Sequence, residues 1–155
     1  MLDGERFLIL EYCPHSLADI IDQCHIANEP ICQGNFYTWA AGIAEGLRFA
    51  HRNNHFHGDI KPPNIHIDDG NIAKLADFGL SSVPATKGAT VRSNRGTARY
   101  MAPEQHVGAQ LELEGLKKCD VWAFGIVLWE MMSRRNPFTK IEEHKLSIVI
   151  GTNDQ

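Results

Sequence analysis

The sequence lacks the features that mark membrane-spanning, secreted and nucleic-acid-binding chains. Its longest apolar run, Val121–Trp129, is too short to cross a bilayer, and no basic-then-apolar signal segment opens the chain. None of its 4 cysteines forms a Cys-x-x-Cys pair, which disfavours a zinc site or a disulfide framework and favours a reducing compartment. A net charge of -4 disfavours nucleic acid and anionic membranes as main partners. We therefore expect a cytoplasmic protein.

The sequence does contain enough apolar material for one folded domain. Its 155 residues are 43% hydrophobic and 22% charged, as is usual for a globular protein with a buried core. Ser16 and Asp19 predict the start of a short helix through a capping box. After a loop at 28–35, apolar residues recur at helical spacing from Phe36 and predict an amphipathic helix that ends near Asn53.

The second half of the chain predicts a polar loop and two further helices. Residues 81–94 are rich in small and polar types and predict a mobile loop. Residues 119–132 are apolar on nearly every side, which is typical of a helix in the middle of a domain. Residues 142–150 predict one more helix, so the chain is expected to be mainly α-helical.

A polar loop followed by a short hairpin lies between the two long helices. Ile65–Ile67 and residues 72–75 are apolar runs of strand length, and the Asp-Asp-Gly-Asn sequence at 68–71 between them is a turn signal. Pairing these strands should bring Asp77, just after the second strand, beside Asn64, just before the first. An ordinary loop and hairpin with solvated charges is the alternative interpretation.

Four polar side chains would meet at the end of this hairpin. Asp59 and Lys61 lie on the loop that Asn64 closes, and Asp77 arrives from the other strand. Two carboxylates, an amide oxygen and an ammonium group suit magnesium and a phosphate, because magnesium takes hard oxygen ligands together with substrate phosphates.

These motifs resemble those of eukaryotic-type protein kinases. The sequence His-Gly-Asp-Ile-Lys-Pro-Pro-Asn at 57–64 resembles the catalytic loop of the family, and Asp-Phe-Gly at 77–79 resembles its magnesium-binding motif. Two further motifs follow, Gly-Thr-Ala-Arg-Tyr-Met-Ala-Pro-Glu at 96–104 and Asp-Val-Trp at 120–122. The resemblance implies a mainly α, kinase-like large lobe with a small β-hairpin at the active site and one residual small-lobe strand. Residues 1–14 would be that strand and the hinge, and 15–155 a truncated large lobe.

The resemblance also implies a role for each residue of the loop. Asp59 would orient the substrate hydroxyl and accept its proton, Lys61 would contact the transferred phosphoryl group, and Thr97 would bridge the two. Asn64 and Asp77 would hold magnesium. A lysine two residues after the catalytic acid is typical of serine/threonine-specific members.

The nucleotide base would be held by the start of the chain. The resemblance makes residues 6–13 a strand entering the hinge, with Leu10 as gatekeeper. The Glu11 carbonyl and the Cys13 amide would bind the adenine edge, and His66 would form the floor beneath it where the family usually has an aliphatic residue. His57 would be a buried packing residue beneath Phe78.

Two positions depart from the family pattern or lack their usual partner. Gly58 stands where many protein kinases have an arginine that pairs with a loop phosphate. We therefore predict that phosphorylation at Thr86, Thr90 or Ser93 is not the main activating event. Glu104 would lack the arginine that normally neutralises it, which the family places beyond position 155, and would be a buried unpaired carboxylate.

The phosphate clamp of the family is absent from these 155 residues: they contain no Gly-x-Gly-x-x-Gly loop and no Val-Ala-Ile-Lys strand. The resemblance thus predicts part of a serine/threonine kinase domain that uses ATP and Mg²⁺ to modify protein hydroxyls, nearly inactive alone. One alternative is a pseudokinase-like binding module. The other is a small-molecule phosphotransferase, although those enzymes lack the motifs at 96–104 and 120–122.

Overall fold

The computed structural model describes residues 9–80 and 89–151. These residues form five helices, α1 (Leu17–Ala27), α2 (Gln33–Arg52), α3 (Pro103–His106), α4 (Leu113–Ser133) and α5 (Leu146–Gly151). They also form five short strands, β1 (His15–Ser16), β2 (Ile65–Ile67), β3 (Ala73–Leu75), β4 (Val91–Arg92) and β5 (Gln110–Leu111). The predicted mainly α fold with a small hairpin is confirmed.

The core lies where α1, α2 and α4 meet the hairpin of β2 and β3. Its apolar side chains come from every one of these elements and include Leu17, Ile21, Trp39, Ile43, Leu47, Ile60, Ile65, Ile67, Val127 and Met131. Helix α2 approaches β3 closely at Gly42, where an added Cβ would lie 3.0 Å from the Ala73 carbonyl oxygen. This close packing places the hairpin, and hence the loop before it, directly against the helical core.

Helix α1 begins as the sequence predicts. The Ser16 hydroxyl accepts a hydrogen bond from the Asp19 amide at 3.1 Å, and the Ser16 amide donates to the Asp19 carboxylate at 3.3 Å. The helix ends at Ala27, and the capping residue Asn28 has a φ of 54°, a left-handed backbone conformation that asparagine tolerates better than most residues. The predicted capping box is therefore confirmed.

Helix α2 starts slightly earlier than predicted. Residues 33–35 were expected in a loop but belong to the helix, because Cys32 caps it by accepting a hydrogen bond from the Asn35 amide through sulfur. The helix ends at Arg52, close to the predicted Asn53. It buries one apolar face, as its periodicity indicated.

The predicted hairpin is confirmed, with Ile65 opposite Leu75 and Ile67 opposite Ala73. Its turn is anchored to α2, since the Trp39 indole donates a hydrogen bond at 2.9 Å to the Asn71 side chain. Because the turn is anchored to the core, the residues that leave the open end of the hairpin have a defined position.

The start of the chain differs from the prediction. Residues 9–13 form no strand, and 6–8 lie outside the described residues. Instead β1 lies just beyond, with Ser16 opposite His66 of β2. A strand needs a partner for its backbone groups, and no described strand pairs with 9–13. Ile9, Leu10 and Tyr12 are largely exposed.

The predicted loop at 81–94 contains a strand within its described part. Residues 81–88 lie outside the described residues, whereas β4 pairs with β5 through Val91–Leu111 and Arg92–Gln110. The local composition of this segment indicates no strand. It becomes a strand because it pairs with residues about 20 positions further along the chain.

Helix α4 is longer than predicted and less enclosed. It begins at Leu113, and its apolar residues Val121, Trp122, Trp129 and Met132 are exposed along one face. The expectation of burial on nearly every side is therefore wrong for these four residues. The predicted final helix is present as a 3-10 turn at Glu143–Lys145 followed by α5. Within 9–80 and 89–151, no helix combines the length and apolarity needed to cross a membrane.

Candidate active site

The loop that joins α2 to β2 brings three of the predicted site residues into direct contact. Lys61 Nζ lies 2.7 Å from Asp59 Oδ2 and donates to Thr97 Oγ1 at 2.9 Å. The Thr97 hydroxyl and its backbone amide both donate to Asp59 Oδ1, at 2.8 and 2.9 Å. The predicted bridge between Asp59 and Lys61 is therefore present, across 36 residues of sequence.

The Asn64 side chain also binds Asp59. Its side-chain amide donates to the Asp59 carbonyl at 2.9 Å and to Asp59 Oδ2 at 3.2 Å. A 3-10 turn at Pro62–Asn64 places this side chain, with the Asn64 amide donating to the Lys61 carbonyl. Within the described part of the chain, the Asn64 side-chain oxygen has no hydrogen-bond partner, so it is free to bind a cation.

The surroundings of Asp59 favour its ionised form. Burial raises the pKa of the Asp59 carboxyl, but the hydrogen bonds from Lys61 and Thr97 and the charge of Lys61 lower that pKa by more. The net pKa lies below the ordinary value, so Asp59 is a carboxylate at neutral pH. Such a group accepts a hydrogen bond from an incoming hydroxyl.

Asp120 of α4 holds the backbone of the loop. Its carboxylate is 2% exposed and accepts hydrogen bonds from the His57 amide at 2.8 Å and the Gly58 amide at 2.9 Å. His51 Nε2, at the end of α2, donates to the same carboxylate at 2.8 Å. These hydrogen bonds tie the loop to both long helices.

His57 connects the loop to the segment that carries Asp77. Its ring is fully buried, and Nε2 donates to the Ala76 carbonyl at 2.9 Å while Nδ1 accepts from the Asp59 amide at 3.3 Å. These two bonds require the neutral tautomer with the proton on Nε2. The ring also packs on Phe78 with a centroid distance of 4.5 Å, so its predicted packing role is confirmed.

Asp77 follows Ala76, whose carbonyl accepts the hydrogen bond from His57. The Ala76 amide donates to the Asn64 carbonyl at 2.9 Å, which places the backbone of 76–77 beside Asn64 as predicted. Asp77 has a φ of 60°, and its exposed carboxylate accepts a hydrogen bond from the Gly79 amide at 3.2 Å. No hydrogen bond links its side chain to Asp59 or Asn64 within residues 9–80 and 89–151.

The residues predicted to hold the nucleotide base lie on β2 and on the segment that precedes β1. The Glu11 carboxylate pairs with Lys74 of β3 at 3.1 Å, and Cys13 is half-buried nearby, where burial and the charge of Glu11 raise its thiol pKa. His66 occupies the centre of β2 opposite Lys74. Within residues 9–80 and 89–151, no hydrogen bond or ion pair joins these side chains to Asp59.

Two of the predicted polar positions have surroundings other than those expected. Glu104 is half-buried rather than fully buried, and its carboxylate accepts a hydrogen bond from the Cys119 thiol at 3.6 Å, although no cation pairs with it within the described residues. Ser93 is buried, with its hydroxyl donating to the Ala109 carbonyl at 2.9 Å. Thr90 is exposed, and Thr86 lies outside the described residues.

Sequence reasoning missed a buried pair behind the loop. The Tyr100 hydroxyl donates to Glu130 Oε2 at 2.7 Å, and both residues are less than a tenth exposed. Burial raises the pKa of each group, with the Tyr100 bond lowering that of Glu130 in part. Arg99 nearby donates to the Pro137 and Phe138 carbonyls at 2.9 and 2.8 Å. Separations of 30 to 39 residues carry no local signal for these contacts.

Comparison with known proteins identifies the class of protein that this site defines. The sequence-family model for the protein kinase domain matches residues 2–153, so the chain belongs to the protein kinase family. The mitogen-activated protein kinase kinase kinase dlk-1 of Caenorhabditis briggsae is 34% identical over 147 residues. Those residues are 94% of this chain and 16% of that relative.

Two mammalian relatives give the same picture. Mitogen-activated protein kinase kinase kinase 13 of Mus musculus is 31% identical, over 94% of this chain and 14% of its own length. Mitogen-activated protein kinase kinase kinase 12 of Rattus norvegicus is 29% identical, over 94% of this chain and 16% of its own length. The chain therefore spans a small part of the length of the curated relatives it matches.

Proposed function

We propose that this chain is the catalytic part of a serine/threonine protein kinase domain that transfers the γ-phosphoryl group of ATP to protein hydroxyls. One observation carries the proposal: Asp59, Lys61 and Thr97 form a closed set of contacts of 2.7 to 2.9 Å. Residues 1–14 would correspond to the end of the small lobe and the hinge, and 15–155 to the large lobe. The negative net charge fits a cytoplasmic protein better than one bound to nucleic acid or membranes.

Asp59 acts on the hydroxyl of the substrate. Its lowered pKa makes it a weak base but a permanent hydrogen-bond acceptor at neutral pH, so it aligns the hydroxyl oxygen with phosphorus. As the new oxygen–phosphorus bond forms and the bond to the ADP oxygen breaks, the hydroxyl proton passes to Asp59. This order suits phosphoryl transfer, where positioning matters more than strong base catalysis.

Lys61 acts on the phosphoryl group in transfer. Its ammonium is held by Asp59 and Thr97 and is about one quarter exposed, which leaves it able to reach an anionic oxygen. Because it is already positioned, it stabilises the developing charge without a further cost in side-chain entropy. Thr97 therefore serves as a positioning residue for both groups.

Asn64 and Asp77 suit a magnesium ion that accompanies the nucleotide. Asn64 offers a side-chain oxygen with no described partner, and Asp77 an exposed carboxylate on the neighbouring backbone. Residues 9–80 and 89–151 contain no group of three or more acidic, histidine or cysteine side chains around one point. Two protein oxygens are enough, because magnesium takes its other ligands from phosphates and water. When bound, it neutralises charge on those phosphates.

Binding without catalysis is a second candidate function, and one observation favours it. Residues 9–13, which would hold the adenine base, are not part of a strand, and the side chain of Glu11 is tied to Lys74. Base binding by the Glu11 carbonyl, the Cys13 amide and His66 remains part of the proposal, but it requires this segment to be supported by further structure.

The test compares nucleotide binding with phosphate transfer. In the chain itself we expect weak, Mg²⁺-dependent ATP binding by NMR titration, which Asp77→Asn abolishes and Asp59→Asn retains. We expect little transfer, since loss of preorganised phosphate contacts costs roughly 100- to 1000-fold in rate. Fusing the small lobe of a relative to the amino end should restore transfer to serine and threonine, and Asp59→Asn should remove it.

The outcomes separate the candidates. Mg²⁺-dependent binding without transfer in the fused protein would favour the binding module. If the affinity for ATP is unchanged both by removal of Mg²⁺ and by Asp77→Asn, the proposed roles of Asn64 and Asp77 are refuted. Vigorous transfer by the unfused chain, sensitive to Asp59→Asn, would refute the expectation that it is nearly inactive alone.

A further inference from the structure

Positive charge is concentrated in two short segments of a chain whose net charge is negative. Residues 89–103 include three arginines, and residues 131–141 include two arginines and a lysine, whereas neither segment contains an aspartate or glutamate. The whole chain carries a net charge of -4. We call five of these residues the arginine cluster: Arg92, Arg95, Arg99, Arg134 and Arg135.

The fold brings the two segments together beside the candidate active site. Arg99 joins them directly, because its guanidinium donates to the Pro137 and Phe138 carbonyls at 2.9 and 2.8 Å. Two residues before Arg99, Thr97 is bonded to Asp59. Any chain that presents a hydroxyl to Asp59 must therefore pass close to both segments.

Two further arginines lie near the start of the loop. Arg92 and Arg95 line a small cavity together with Gly58, the residue just before Asp59. Both residues are exposed, and the Arg95 carbonyl is held by the Gln105 side chain at 3.2 Å. The cluster thus extends from the edge of the catalytic loop to the end of α4.

The cluster has no internal counter-charge. Within residues 9–80 and 89–151, none of its five guanidinium groups forms an ion pair with a carboxylate, whereas Arg48, Lys61, Lys74, Lys117 and Lys145 all do. Unpaired cations on a surface attract anionic ligands, whose negative charge would neutralise them.

Two features of Arg134 are energetically unfavourable in the folded chain. Its backbone has a φ of 55°, a left-handed conformation that glycine adopts more easily, at the end of α4. Its Nε atom is buried and has no hydrogen-bond partner in the described residues. Strained residues and unsatisfied polar atoms are concentrated at sites that bind ligands.

We propose that the arginine cluster binds acidic side chains of the protein substrate, so that the enzyme selects serine or threonine residues flanked by glutamate or aspartate. This inference rests on the proposed function and adds the substrate class to it. Guanidinium groups pair with carboxylates through two parallel hydrogen bonds, which gives both attraction and orientation. Opposite charge would also steer the acidic segment to Asp59.

Peptide binding to the chain as it stands tests the inference without requiring catalysis. Three fluorescent peptides share one serine and differ only in their flanking residues, which are glutamate, glutamine or lysine. We expect the glutamate peptide to bind about tenfold more tightly than the glutamine peptide at low salt, because each exposed pair contributes about two- to fivefold. The preference should shrink at high salt, and the lysine peptide should bind weakest.

Two variants locate the surface. The double variant Arg134→Gln/Arg135→Gln should weaken binding of the glutamate peptide about four- to tenfold and leave the glutamine peptide unaffected. Arg48→Gln is the control, since it makes one of the same substitutions on the exposed face of α2, where Arg48 pairs with Glu45, and should change nothing. Circular dichroism verifies that each variant is folded, and the comparison of peptides on the unaltered chain needs no variant.

Several outcomes would overturn the inference. Equal binding of the glutamate and glutamine peptides, or equal losses in the double variant and in Arg48→Gln, would do so. Tighter binding of a single-stranded oligonucleotide than of the glutamate peptide, reduced by the same double variant, would assign the surface to nucleic acid instead.

Failure of the inference is distinguishable from failure of the proposed function. Equal transfer to glutamate and glutamine peptides by the fused protein would refute the substrate class and leave the kinase. Selective binding of the glutamate peptide with no transfer to any peptide would refute the kinase and leave the acidic-segment surface.

Discussion

Replacing Asp120 by asparagine tests whether α4 holds the catalytic loop in place. The carboxylate is 2% exposed and accepts the His57 amide, the Gly58 amide and His51 Nε2 at 2.8 to 2.9 Å. Asparagine has the same shape but offers one acceptor atom instead of two. Whichever oxygen becomes an amide nitrogen, at least one buried donor of the loop or of α2 then faces another donor.

The magnitude follows from these contacts. Leaving one buried donor unsatisfied costs about 1–3 kcal/mol, and losing the negative charge weakens the bonds that remain by about 1 kcal/mol. We expect Asp120→Asn to lower the free energy of unfolding by about 2–4 kcal/mol. With a urea dependence of about 2 kcal/mol per molar, the midpoint should fall by roughly 1–2 M.

Urea unfolding and amide hydrogen exchange together provide the assay. Exchange at either the His57 or the Gly58 amide should accelerate more than at other buried amides, because these two amides use different Asp120 oxygens and one of them loses its acceptor. Asp69→Asn is the matched control, since Asp69 is exposed in the hairpin turn. A midpoint shift no larger than that of the control, with unchanged exchange at both amides, would refute the proposed support of the loop.

Three further predictions concern groups behind the loop. Gly96→Ala should destabilise the chain by about 1–3 kcal/mol in urea unfolding. The reasons are a φ of 116° and an added Cβ that would lie 2.9 Å from the Gly58 carbonyl oxygen. Glu130→Gln should keep the bond from Tyr100 and remove a buried charge, so its melting temperature relative to the unaltered chain should rise as pH increases above 4.5, the ordinary pKa. Cys119, whose thiol pKa burial raises to about 12, should react with iodoacetamide at pH 8 about a thousandfold more slowly than an unperturbed thiol.

The sign of the Glu130 prediction follows from linkage. Its folded-state pKa lies above the unfolded value, so its contribution to stability is complete at low pH and is lost as pH rises through the folded pKa. If Glu130→Gln melts below the unaltered chain at pH 7 and the difference in melting temperature does not change with pH, the buried charge does not destabilise the folded chain.

The other two predictions have internal controls. Gly125→Ala lies in α4, where nothing besides the adjacent backbone of the helix lies within 4 Å of the added Cβ, so it should be neutral or stabilise by up to about 1 kcal/mol. Equal effects at Gly96 and Gly125 would contradict the argument from close approach. Cys32 is exposed and should react readily, so equal rates at Cys32 and Cys119 in the folded chain would contradict the burial argument.

Local sequence was sufficient for the elements that depend on local contacts. The capping box at Ser16, the hairpin at 65–75 and helix α2 all follow from spacing and turn chemistry within about 20 residues. The order of residues along the chain also predicts that Asp59, Lys61 and Asn64 are neighbours, because they occupy one short loop. Recognition of the kinase motifs adds Thr97 to them.

Only the tertiary structure decided the contacts that join distant segments. The strand β4, the Tyr100–Glu130 pair, the Glu104–Cys119 contact and the Arg99 link all join residues 15 to 39 positions apart. Nothing in a local pattern encodes which distant group will satisfy a buried donor or acceptor. The exposed face of α4 has the same origin, since an apolar helix does not specify which of its sides a neighbour will cover. The chain itself therefore determines the chemistry of the site, and packing determines its geometry and its surroundings.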